Sequence, residues 1–159
     1  MSTPLTSADA QRMVELLASR PLVRLITEID DNGAIPSRRL ASTLPDLATH
    51  QLRSSSDTAR AHGLVRVAPG AGLELTETGL ELAALYDAMA RWARRHNVPA
   101  PVCEFSSRIR RVFDLLAPLL ATEGADGAEM GLARLHTLLN QWLADNPDVA
   151  KACEPEPVA

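Results

Sequence analysis

The stretch SRRLASTLPDLATHQLRSSSDTARAHGLVRVAPGAGLELT, from Ser37 to Thr76, decides the fold. It reads as a short helix, a turn, a longer helix, a glycine stop and a small hairpin. Ser37 follows Pro36, so its hydroxyl is placed to cap the first free amides of the short helix. Leu40, Ala41 and Leu44 give that helix one apolar face. Pro45-Asp46 ends it, because proline lacks an amide and disfavours helix in the residue before it. Thr49 is the expected N-cap of a second helix that runs to about His62, with Gly63 as its left-handed stop. Leu64-Val65-Arg66-Val67 alternates with period two, Pro69-Gly70-Ala71-Gly72 turns, and Leu73-Glu74-Leu75-Thr76 alternates again.

This order predicts a winged helix-turn-helix, in which one helix enters the DNA major groove. The segment resembles the HxlR-type regulators within the MarR-like group. The residues that carry the resemblance are Leu44-Pro45-Asp46-Leu47 before the second helix, Gly63-Leu64-Val65 at its end, and Leu75-Thr76-Glu77-Thr78-Gly79 closing the hairpin. The likeness covers residues 20–97. It implies a DNA-reading helix over 49–62, a two-fold dimer, and a dimer interface made by helix 76–96 with the N-terminal helix. In MarR-like proteins a small molecule bound between reading head and dimer helices changes half-site spacing, and the resemblance carries that expectation over. The chain departs from the pattern in several places. Ser56 and Ala59 stand where the family has leucines, the Pro-Gly-Ala-Gly wing tip has no basic residue, and the N-terminal redox cysteine of the family is missing.

Around this segment the chain reads as helical. Residues 8–19 place Met13, Leu16 and Leu17 on one side of a helix. Residues 21–31 open on Pro21 and carry Leu22, Val23, Leu25, Ile26 and Ile29 to a stop at Asp31-Asn32-Gly33. Ala34-Ile35 is placed for a short third strand. A helix over 76–96 carries Leu82, Leu85, Tyr86, Met89, Trp92 and Ala93 at three- and four-residue spacing, and residues 97–101 break it. Ser106 is the expected cap of the next helix, which Pro118 should kink or shorten. Residues 123–127 form a loop, and helix 128–144 carries Leu132, Leu135, Leu139 and Trp142, a competing dimer seam. The expected class is mainly α with a small β-hairpin wing, a winged helix-turn-helix with additional C-terminal helices. The expected division is a DNA-binding domain over 1–97, a helical extension for dimerisation or effector binding over 98–145, and a flexible acidic tail over 146–159.

Charge and composition narrow the functional classes. The 159 residues carry a net charge of −4, which opposes a generic nucleic-acid coat. Residues 1–66 hold eight arginines against seven acids, whereas residues 121–159 hold two basic residues against seven acids. The acidity therefore belongs largely to the tail. Lys151 is the single lysine among 16 basic residues. No run approaches the roughly 20 apolar residues of a membrane helix and no cleavable signal pattern is present, so a cytoplasmic protein without a membrane partner is expected. Cys103 and Cys153 make no disulfide framework. Cys103 lies near Arg108, which would favour its thiolate as a redox sensor, set against a plain structural thiol. His50, His62, His96 and His136 are widely spaced, and neither a metal nor a cofactor is expected. No nucleophile elbow, phosphate loop or carboxylate pair points to an enzyme.

The expected partner is a double-stranded DNA operator, bound by a homodimer. Arg53 is placed for guanine and Gln51 for adenine. Thr49, Ser54 and Ser55 suit phosphates, with His50 beside them, and Arg38, Arg39, Arg60 and Arg66 are further phosphate candidates. Tyr86, Met89, Trp92, Phe105 and Phe113 are the expected lining of a pocket for a small apolar effector. The chain reads as a dimeric repressor that answers to such a molecule. The rival reading is a protein-interaction module on the same scaffold, favoured by the uncharged wing tip and the acidic total.

Overall fold

The computed structural model describes residues 6–96, 105–121, 129–147 and 149. They are mainly helical with one two-stranded antiparallel sheet. The helices are α1 (Ser7–Leu17), α2 (Arg20–Asn32), α3 (Leu40–Thr43), α4 (Thr49–Ala61), α5 (Glu77–Arg95), α6 (Phe105–Leu120) and α7 (Met130–Asp145), with a 3-10 turn at Ser37–Arg39 before α3. The strands are β1 (Val65–Ala68) and β2 (Gly72–Leu75). Packing gathers residues 20–84 into one compact unit, and residues 6–19 with the described residues from 85 onward into another. The change of packing thus falls within α5, whereas the sequence suggested a boundary at 97.

In the first unit α2 is the spine. Leu22, Val23, Leu25, Ile26 and Ile29 are all buried, at three- and four-residue spacing. This face packs against α4 and β2. Gly33 ends the helix at φ 92°, its amide returning to the Ile29 carbonyl at 2.8 Å. Ile35 then exchanges two 2.9 Å backbone hydrogen bonds with Leu73, so the expected third strand amounts to a single bridge. Gly72 makes that approach possible: its φ is +104°, and a Cβ would strike the Ile35 carbonyl. The hairpin register pairs Val65 with Leu75, Arg66 with Glu74, Val67 with Leu73 and Ala68 with Gly72.

Two expected caps are corrected here. Pro36, not Ser37, precedes the 3-10 turn, and no side chain caps it. Ala48, not Thr49, is the N-cap of α4; Thr49 is already helical. Ala41 is exposed and takes no part in the apolar face that buries Leu44.

What holds the α3–α4 turn is ionic. Arg24 donates from Nε and Nη2 to the two carboxylate oxygens of Asp46, each at 2.9 Å, and Arg20 donates to Oδ2 at 2.8 Å. The Arg24 hydrogen bonds hold the Asp46 carboxyl down at about 2. Beneath the clamp Leu44 and Leu47 are buried. The turn is therefore fastened to α2 by charge above and apolar contact below.

In the second unit α1 packs along α6. The Tyr86 hydroxyl donates to the Leu17 carbonyl, its ring meets Phe113 edge-on at 6.4 Å, and burial pushes the phenol pKa up. Helix α6 buries Ile109, Val112, Phe113, Leu116 and Leu120. It continues past Pro118 to Leu120, with the Ala121 amide still bonded to the Ala117 carbonyl. Ser106 lies inside α6, buried, with its hydroxyl unpaired, and does not cap it. Helix α7 starts at Met130 under a cap supplied by Glu129, whose Oε2 accepts from the Leu132 amide at 2.9 Å and from Trp92 Nε1 at 2.8 Å. The indole hydrogen bond, then the amides of Gly131 and Leu132, hold the Glu129 carboxyl at about 2. Val149 is buried, so the segment expected to fray from 146 is tied down there. The breaks at 97–101 and 123–127, with Ala128 and most of the tail, lie outside the described residues.

Asp46→Asn is expected to lower the unfolding free energy by about 1 kcal/mol at neutral pH, the upper end for an exposed pair, because the contact is bidentate. The folded carboxyl titrates below its ordinary 3.8, so this contribution is complete above that value and fades as pH falls toward about 2. Urea unfolding of both proteins should show a constant gap from neutral pH down to about 4 that narrows below it. Gly131→Ala sets a helix-propensity gain of at most about 1 kcal/mol against overpacking worth about 1–3 kcal/mol. A Cβ there would lie 2.6 Å from Trp92 Cδ1. Net destabilisation and a red shift of Trp92 emission are expected.

Candidate nucleic-acid interface

The candidate site lies wholly in the first unit and is built on α4. Leu52, Ser55 and Ala59 turn inward at three- and four-residue spacing. The opposite face is thereby committed to solvent. Thr49, His50, Arg53, Ser54, Asp57 and Thr58 line an open concavity of about 630 Å³ on it. A second groove of about 350 Å³ runs between the 3-10 turn, α3, α4 and the hairpin, with Arg53 and Arg60 among its lining residues. Arg53 borders both.

The electrostatics separate two sets of arginines. Arg20 and Arg24 are committed to Asp46, and Arg66 Nε donates to Glu74 across the hairpin at 2.6 Å. Arg38, Arg39, Arg53 and Arg60 are exposed and form no ion pair with any described residue. Four guanidiniums therefore stand unneutralised on the 3-10 turn and α4. Asp57 is the acid in the concavity.

Not every expected contact residue reaches this face. Ser55 is 6% exposed and its hydroxyl donates to the Leu52 carbonyl at 3.1 Å, so it is removed from the set. Its position three residues after Leu52 and four before Ala59 was the signal for burial. Gln51 spends its Oε1 accepting the Ala48 amide at 2.9 Å, closing the start of α4 from the third helical position. Bidentate pairing with adenine needs that oxygen. Gln51 is thus a cap first. Thr49, His50, Arg53 and Ser54 remain exposed together.

The expected effector lining is also corrected. Tyr86, Met89 and Phe113 are completely buried, and Trp92 nearly so, as packed core of the second unit. Phe105 is half-buried. Cys103 and Cys153 lie outside the described residues, and no set of three metal-ligating side chains comes together among the described ones. No described helix is long and apolar enough to cross a membrane. Sequence reasoning missed the Asp46 clamp, whose partners lie 22 and 26 residues away with no periodic signal between them.

Comparison with protein-family models, curated proteins and solved structures found no match.

Gln51→Ala is expected to cost about 0.5–1 kcal/mol of stability through the lost cap. Thermal unfolding measures this. Ser54→Ala, on the exposed face, should leave the unfolding free energy within about 0.5 kcal/mol of the parent.

Proposed function

We propose that the chain is a sequence-specific DNA-binding transcriptional regulator of the winged helix-turn-helix type, acting as a dimeric repressor. The observation that carries this reading is the outward face of α4, polar and open, flanked by the unpaired Arg38, Arg39, Arg53 and Arg60. A helix whose inward face is apolar and whose outward face carries Arg, His, Ser and Thr suits the major groove, where arginine binds guanine through two hydrogen bonds. Thr49 and Ser54 suit flanking phosphates, and Arg38, Arg39 and Arg60 supply attraction that does not depend on sequence. Residues 64–75 then serve as the wing. A two-fold dimer would set two copies of α4 one DNA turn apart, about 34 Å.

A second reading has its own support. The hairpin cation Arg66 is neutralised by Glu74, and Val67 beside it is 52% exposed, which suits a protein partner better than a phosphate. On this reading α4 and the hairpin form a protein-interaction surface.

Selection of duplexes from a random pool, followed by fluorescence anisotropy across a salt series, separates the two. A regulator should enrich one half-site sequence. With about three phosphates neutralised per head, by Arg38, Arg39 and Arg60, its log–log salt slope should be near −2.7 per head and about −5.4 for a dimer. Arg53→Ala should cost about 1–3 kcal/mol against the selected site and much less against random duplex, with the unfolding midpoint unchanged. Recovery of no preferred sequence, with wild type and Arg53→Ala binding alike, would sink the DNA assignment.

A further inference from the structure

The second unit holds a groove of about 890 Å³ between α5 and α7 that the DNA reading does not use. Its accessible apolar surface comes from Leu138, 44% exposed, and Met130, 85% exposed, with Ala88 half-buried, while Trp92 and Leu135 form its buried floor. Three cations border it: Arg91 and Arg95, one turn apart on α5, and Arg134 from α7. All three are exposed, and none forms an ion pair or hydrogen bond with a described residue. Among the described residues one acid also lines the groove, Glu129, against three arginines. It spends its Oε2 on Trp92 Nε1 and the Leu132 amide, and its Oε1 lies 3.4 Å from His96 Nε2. Dipole compensation at a helix C-terminus accounts for Arg95. It does not account for Arg134, which sits in the second turn of α7.

An apolar trough of small-molecule size with unneutralised guanidiniums from both walls is complementary to one kind of ligand. We propose that this groove binds a medium-chain alkyl carboxylate, its head held by Arg91 and Arg134 and its chain laid over Ala88 and Leu138. The aliphatic lining favours such a chain over a planar ring, because the indole of Trp92 is almost wholly buried and offers no stacking face. This inference does not rest on DNA binding.

The test is isothermal titration calorimetry of the full chain with decanoate, kept below its micellar concentration, and with decanol as neutral control. Saturable binding of one decanoate per chain is expected, with decanol at least about tenfold weaker. Arg91→Gln and Arg134→Gln, both solvent-exposed changes, should each weaken decanoate by about tenfold and leave the unfolding midpoint alone. Leu138→Asn should weaken decanoate and decanol alike. Absence of saturable heat with decanoate overturns the proposal. Equal affinity for decanol, or unchanged affinity in the doubly substituted Arg91→Gln, Arg134→Gln protein, overturns it as well.

Discussion

Burial of one face of α2 is the constraint on which the first unit depends. Leu22, Val23, Leu25, Ile26 and Ile29 leave water together, each worth about 1.5–3 kcal/mol relative to exposure. This single stripe fixes where α4 and β2 must lie. The polar side of the same helix then supplies Arg20 and Arg24 to the Asp46 carboxylate. Apolar burial sets the position of α4, and the ionic clamp sets the turn that delivers the chain to it. The clamp contributes far less energy than the stripe but is directional, so it governs geometry where the stripe governs stability.

The second unit solves the same problem with fewer charges at its centre. Tyr86 finds a backbone acceptor at the C-terminal end of α1, and Trp92 finds the capping carboxylate at the start of α7. Both aromatics bury a large ring and place their single polar atom on a group that needs a partner. Gly131 permits the second contact, because any side chain there would enter the indole.

Much of this was legible beforehand. Helices α1, α2, α4 and α5 and both strands fall within a residue or two of the expected spans, because their apolar residues repeat at 3.6 or 2. Caps were less legible. A hydroxyl at Ser37, Thr49 or Ser106 looks like a cap wherever it precedes an apolar run, yet Gln51 and Glu129 do the capping. Gln51 holds the capping-box third position, hidden because the N-cap before it is Ala48 with no hydroxyl, and no hydroxyl marks the start of α7 either. Apolar residues at helical spacing read equally as pocket lining or core, and Tyr86 and Phe113 are core because their rings meet each other and the Tyr86 hydroxyl reaches the end of α1. Ser55 was misread because three consecutive serines hide the phase of the helix, which Leu52 and Ala59 carry instead. The outward set of Thr49, His50, Arg53 and Ser54 followed directly from that phase.

The strict division of α4 into two faces has a consequence for how this chain can change over time. His50, Arg53, Ser54 and Asp57 are exposed, whereas Ser55 and Ala59 are buried on a helix that packs against α2. Replacement on the outer face leaves the fold indifferent, and enlargement on the inner face would push the helix off its spine. Lineages carrying this scaffold are free to diverge in what α4 touches while being held to nearly fixed volumes beneath it.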